Sequence, residues 1–132
     1  MIYEFLIEKI DQEKISNSFH NAILIHGGGW KKLISLAIDN NTFKDGLKSI
    51  CGINRIHDYY GMVEQVGSIY FECEKGYFHT SIFNDVLIRK EDDLSLQQDN
   101  NRGIVQVLSL LPHSYPGHSI LTEDRGEIFK ED

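Results

Sequence analysis

The stretch Asp58-Tyr59-Tyr60-Gly61-Met62-Val63-Glu64-Gln65 decides how this chain is read. It leaves an apolar run, turns on a glycine, and sets an aromatic ring and a carboxylate four residues apart. A nucleotide carried with a divalent cation calls for that pairing: a flat face to stack on a base, and a hard oxygen ligand for Mg²⁺. Tyr-Gly pairs occur in many turns, so the meaning of the stretch depends on its flanks.

Immediately before it, Ile53 to Tyr59 reads as a strand anchored by Ile53 and Ile56. Further upstream, Ala22-Ile23-Leu24-Ile25 is apolar without alternation, which predicts a strand buried on both faces of a parallel sheet. That strand ends at His26 and breaks into Gly27-Gly28-Gly29. Trp30, Leu33, Ile34, Ala37 and Ile38 then recur at helical spacing, predicting a helix that stops at Asp39-Asn40-Asn41. Thr42-Phe43-Lys44-Asp45 resembles a capping box opening a second helix, with Phe43, Leu47 and Ile50 facing in and Gly52 as its C-terminal cap. At the start, Ile2, Phe5, Leu6 and Ile10 predict an amphipathic helix over residues 2–13. Strand, glycine loop, helices and strand make a βαβ unit, whose ligands belong at the carboxyl ends of the strands. Gly27–Gly29 and Tyr60–Glu64 both fall there.

After Gly67 the pattern changes. Ser68 to Cys73 and Tyr77 to Phe83 are β-rich runs joined by Glu74-Lys75-Gly76, a short hairpin loop. Val86 to Arg89 and Ile104 to Leu108 are further strands, separated by a polar, acidic loop from Glu91 to Arg102. Ser119 to Leu121 leads into Thr122-Glu123-Asp124-Arg125-Gly126, which also reads as a plain turn. The expected class is α/β: a βαβ parallel-sheet half over residues 1–67, then antiparallel β hairpins over residues 68–132.

Composition narrows the function. The 132 residues are one domain's worth of chain or a piece of a larger one, 41% hydrophobic and 25% charged, ordinary for a globular protein that buries a core. The net charge of −7, from 13 basic and 20 acidic residues, argues against nucleic acid as the main partner. Early charge in Met1-Ile2-Tyr3-Glu4 is unlike a signal peptide, so a cytoplasmic setting with Cys51 and Cys73 as free thiols is expected. No apolar run approaches the roughly 18 residues of a membrane span. Cys73 and His79 flank the hairpin turn, but no C-x-x-C or H-x-x-x-H spacing supports a structural zinc. Ser114 and Ser119 lack a G-x-S-x-G context.

Three segments together carry a resemblance. Ile25-His26-Gly27-Gly28-Gly29-Trp30-Lys31-Lys32, the Asp58 to Gln65 stretch, and Ser114 to Gly126 stand in the order found in the adenylate-forming enzymes. That superfamily includes acyl-CoA synthetases and firefly-type luciferases. Within it the chain is most similar to the acyl-protein synthetases of the bacterial luciferase system (LuxE-type), relatives of phenylacetate-CoA ligases. The resemblance implies ATP-dependent activation of a fatty or other carboxylic acid as an acyl-adenylate, with transfer to a protein or thiol acceptor. It implies that Gly27, Gly28 and Gly29 line the adenine pocket, where a side chain would block close approach. Tyr60, with Gly61 beside it, would stack on adenine, Asp124 would hold the ribose hydroxyls, and Glu64 would hold Mg²⁺ as the catalytic carboxylate. Val63 stands where wider superfamily members have Thr. The Ser/Thr/Gly-rich phosphate loop and the C-terminal subdomain of the superfamily have no counterpart in the 132 residues, so the resemblance covers the second half of an adenylation domain. The rival expectation is a non-catalytic relative serving as a nucleotide-binding or interaction module. A half-domain would also leave sheet edges open to self-association or to a complementing chain.

Overall fold

A computed structural model describes residues 8–9, 19–28, 37–113 and 116–129. The chain divides into two compact units, Met1–Tyr59 and Tyr60–Asp132. Among the described residues no helix is long and apolar enough to cross a membrane.

In the first unit, β1 (Ile23–Gly27) and β2 (Arg55–Gly61) run parallel, with Ile23 opposite Arg55 and Gly27 opposite Tyr59. Helix α1 (Asn40–Cys51) lies between them in sequence, which completes the expected strand–helix–strand order. Its inner face supplies Leu47 and Cys51, packed with Ile56 of β2 into a core bordered by Leu24, Phe43, Ile50 and Ile53. Burying a side chain such as Leu47 contributes about 1.5–3 kcal/mol.

Two local expectations need correction. Ile23 and Ile25 are 55% and 53% exposed, so β1 is not buried on both faces. The α1 core engages Leu24, and the alternation of a strand turns Ile23 and Ile25 away from it. The helix also starts earlier than Thr42. Asp39 is its N-cap: the Asp39 carboxylate accepts from the Thr42 backbone N–H at 3.0 Å and from the Thr42 hydroxyl. An aspartate satisfies the open N–H groups of a first turn at least as well as a threonine, so Asp39-Asn40-Asn41 begins a helix rather than ending one. The far end is as expected: Gly52 is left-handed at φ 73° and its N–H donates to Lys48 O at 3.0 Å.

The helix predicted over residues 2–13 is described only at Glu8 and Lys9, both helical. Most of the helix predicted from Trp30 to Ile38 lies outside the described residues. Ala37 and Ile38 have no regular structure.

The second unit is built from strands. β3 (Ile69–Glu72) and β4 (Phe78–His79) form the expected hairpin, with Gly76 at φ 84° and the Cys73 N–H donating to Tyr77 O at 2.8 Å. β4 is shorter than the run Tyr77 to Phe83, because Ser81 opens a turn whose carbonyl accepts from Asn84 N at 3.2 Å. β5 (Asn84–Arg89), β6 (Gly103–Ser109) and β7 (Ser119–Gly126) form an antiparallel sheet in that order. The segment Thr122–Gly126 is strand, not turn. The Thr122 hydroxyl donates to Val105 O at 2.8 Å where the register shifts between Ile104 and Gln106. Ile88 and Val107 are the buried apolar centre of this sheet. Ser68, Asn84 and Ser109 form a buried polar trio, with Ser68 Oγ to Ser109 Oγ at 2.8 Å and Ser109 Oγ to Asn84 Oδ1 at 2.9 Å. Both cysteines are free thiols.

Candidate functional site

β1 delivers Gly27 as its last residue, and Gly28 follows at φ 94°, a conformation that favours glycine. At Gly27 the need is space as well. A Cβ there would stand 2.5 Å from Tyr59 Cε1, because the Tyr59 ring lies over the glycine from the adjacent strand. Sequence reasoning gave Tyr59 no role. The signal was present in the parallel register, which sets Tyr59 opposite the glycine turn. Gly29 lies outside the described residues. Just before the turn, His26 Nδ1 is 3.5 Å from Asp58 Oδ1, and His26 packs against Phe43 with ring centroids 4.7 Å apart.

One step along β2, Tyr60 belongs to the second unit, and strand alternation turns it away from Tyr59. Its hydroxyl donates to Asp124 Oδ2 at 2.6 Å. Burial, reinforced by the neighbouring Asp124 carboxylate, pushes the Tyr60 phenol well above the usual tyrosine range. The ring has aromatic company: Tyr70 at 6.0 Å and Phe78 at 6.5 Å between centroids, both tilted. Tyr70 is also pushed up, first by burial and then by Asp85. Tyr60 and Asp124 line a cavity of about 610 Å³ together with Tyr70, Phe78, Val105 and Phe129.

Gly61 ends β2, and Glu64 sits exposed in a single 3₁₀ turn, Val63–Gln65. Gln65, to which sequence reasoning assigned nothing, is 1% exposed. Its Nε2 donates to Gly117 O at 2.9 Å and to Val107 O at 3.4 Å. Gly117 belongs to the Ser114–Gly126 motif, of which Ser114 and Tyr115 lie outside the described residues. Of the residues predicted for the site, Tyr60 and Asp124 are therefore in direct contact. Gly27 and Gly28 shape the turn after β1, and Glu64 stands on a turn of the second unit. Among the described residues no group of three or more His, Cys, Asp or Glu side chains is arranged to hold a metal ion. A lone exposed carboxylate fits a different kind of cation site, one in which substrate phosphates and waters supply the other ligands.

The fold is similar to that of apo MatB from Rhodopseudomonas palustris, with a TM-score of 0.61 and 11% sequence identity. The likeness covers 90% of this chain and 26% of that one, so the chain spans about a quarter of that structure's length. No curated protein matches the sequence. The α/β class expected from the sequence agrees with that fold likeness. A family model described as acyl-protein synthetase, LuxE, matches residues 1–132, and the chain belongs to that family.

Proposed function

We propose that this chain supplies the nucleotide- and metal-binding part of an acyl-activating ligase. The reaction joins a carboxylic acid, a fatty acid in the family's own chemistry, to the α-phosphate of ATP. Pyrophosphate leaves, and the acyl group then passes from the adenylate to a protein or thiol acceptor with release of AMP. The observation that carries the reading is the 2.6 Å contact between Tyr60 and Asp124, since residues from two separate motifs meet at one cavity.

Each residue has a physical task in this reading. The Tyr60 ring offers a face for adenine, with Gly61 leaving room beside it. The carboxylate of Asp124 accepts from the ribose hydroxyls. The family resemblance gives Gly27, Gly28 and Gly29 the task of letting the base approach closely. Glu64 is the catalytic carboxylate that would hold Mg²⁺, whose contribution when bound is to neutralise charge on the phosphates. Acceleration then comes from positioning and charge stabilisation rather than from a covalent enzyme group. Family membership and the fold likeness support the ligase class. The acid, the acceptor and a cytoplasmic setting are proposals that follow from the family.

Calorimetric titration of the chain with ATP, with and without Mg²⁺, tests the reading. Base–aromatic stacking contributes about 1–3 kcal/mol, so Tyr60→Ala should weaken binding by about tenfold or more. Glu64→Gln should leave binding that no longer responds to Mg²⁺. A chain that binds no adenine nucleotide at millimolar concentration sinks the proposal. Nucleotide binding without acyl-adenylate formation from any acid would instead mark a non-catalytic binding module.

A further inference from the structure

We infer that Gln65, clamped together with Gly117, is the positioning residue that aims the Glu64 carboxylate. The inference rests on the reading of Glu64 as a metal ligand and goes beyond it by naming what holds that ligand in place. The 3₁₀ turn Val63–Gln65 is one turn long. Short 3₁₀ segments have poor internal hydrogen-bond geometry, so their conformation is set by what surrounds them. Here the surroundings are specific.

Glu64 and Gln65 are neighbours with opposite fates: the glutamate is exposed, and the glutamine is 1% exposed. The amide of Gln65 is a buried three-point anchor. Its Nε2 donates to Gly117 O at 2.9 Å and to Val107 O at 3.4 Å, and its Oε1 accepts from the Tyr70 hydroxyl at 3.4 Å. A buried amide with both its donor and acceptor ends engaged resists displacement, because leaving either end unpaired forfeits the desolvation already incurred. The main chain around it is fixed too, with Gln65 N donating to Met62 O at 3.2 Å and Ser68 N to Gln65 O at 3.1 Å.

Gly117 closes the clamp from the other side. A Cβ at that position would collide with the carbonyl oxygen of Glu64. The same residue therefore accepts the Gln65 amide and packs on the Glu64 backbone. With its carbonyl pressed against Gly117 and the next side chain locked in the sheet, Glu64 keeps one Cα–Cβ direction. A ligand for a cation with strict octahedral geometry needs such fixing. Neither Gln65 nor Gly117 touches the nucleotide in this scheme; both act through Glu64.

The test compares ATP titrations of the full chain at zero and millimolar Mg²⁺ for the wild type, Glu64→Gln, Gln65→Met, Gly117→Ala and Ser109→Ala. The readout is the ratio of the two affinities, a coupling that buried destabilisation alone does not change. Gln65→Met should reduce that ratio to the level left by Glu64→Gln, with metal-free affinity within about twofold of wild type. Gly117→Ala should do the same from the opposite side, and it decides the matter if Gln65→Met does not fold. Ser109→Ala disturbs the buried polar trio without touching Glu64, so it should lower the Tm and keep the ratio. Full Mg²⁺ coupling in folded Gln65→Met or Gly117→Ala overturns the positioning role while leaving the nucleotide site intact. Absence of any nucleotide binding by the wild type overturns the proposed function and the positioning role with it.

Discussion

The Tyr60 hydroxyl reaches across 64 positions of sequence to donate to Asp124 Oδ2 at 2.6 Å. That bond joins the end of β2 to β7, and it occupies the carboxylate proposed for the ribose. Tyr60→Phe keeps the ring face and removes the bond. A hydrogen bond to a charged acceptor contributes about 1.5–3 kcal/mol where it is buried, and here a partly buried phenol meets an exposed carboxylate, so about 1 kcal/mol of stability or less should be lost in urea denaturation. Nucleotide affinity should be unchanged or improved, because the ribose no longer competes with a phenol for Asp124. A loss as large as that in Tyr60→Ala would show that the hydroxyl, not the ring, carries the binding.

The same bond predicts an alkaline limit. The folded phenol of Tyr60 titrates above the unfolded value near 10, so between those values the native state holds the extra proton. Stability from this group is therefore fully present below about pH 10 and falls as pH rises beyond it. Spectrophotometric titration should show a late tyrosine component to which Tyr60 and Tyr70 both contribute, and Tyr60→Phe should reduce it.

The two thiols should behave differently. The Tyr77 backbone first, then the His79 side chain, hold the Cys73 thiol below the usual range, while burial pushes Cys51 up. Cys51 is fully buried and its Sγ donates to Leu47 O at 2.9 Å. Thiolate is the reactive form, so iodoacetamide at neutral pH should alkylate Cys73 first and Cys51 only as the first unit unfolds. Peptide mapping reads the order directly. Equal rates would mean the α1 core opens readily.

How much of this was legible beforehand depends on the range of the interactions. The βαβ order, the Gly76 hairpin and the Gly52 cap follow from local rules, and β1, β2, β3 and α1 form within about two residues of where periodicity and glycine placement put them. Asp39 and Thr42 are both good cap residues, so sequence alone does not choose between them, and the Asp39–Thr42 bonds set the N-cap three residues before Thr42. Ile23 and Ile25 are exposed although they lie in an apolar run, because such a run does not say how many of its faces are covered. At the candidate site, the motif order named Tyr60, Glu64 and Asp124. Nothing local marked Gln65, since its partners Val107 and Gly117 lie 42 and 52 residues away. Nothing local marks Tyr59 either: its contact with Gly27 exists only through the parallel register.

The Asp39 cap gives a prediction about acid. The Thr42 hydroxyl first, then its backbone N–H, lower the Asp39 carboxyl below its ordinary value. A group depressed in the folded state contributes stability above its unfolded value near 4 and loses it as pH falls through the folded one. Asp39→Ala should lower the Tm by a few degrees at pH 7, and the difference from wild type should shrink below about pH 4. Asp39→Ser should recover most of the loss, because a serine hydroxyl accepts the same N–H. A Tm difference that persists unchanged at pH 3 would assign the loss to packing instead.

Gly103 tests the sheet that carries Asp124. It opens β6 with its backbone against Arg89 of β5, and a Cβ there would run into the Arg89 carbonyl oxygen and stand 2.7 Å from Ile88 Cγ2. The clash is with main chain on one side and with a branched core side chain on the other, so neither neighbour yields cheaply. Gly103→Ala should cost about 1–3 kcal/mol or more through overpacking. Gly103 also faces Gly126 of β7, two residues beyond Asp124, so prying the sheet apart at this end should disturb the Tyr60–Asp124 bond. Nucleotide affinity should then fall together with stability. Gly76→Ala, at the left-handed hairpin turn with no close contact at its Cβ, should destabilise the hairpin by strain alone, by about 1 kcal/mol, and leave affinity within about twofold. If Gly103→Ala proves as mild as Gly76→Ala, the β5–β6 junction is looser than the backbone approach at Arg89 implies.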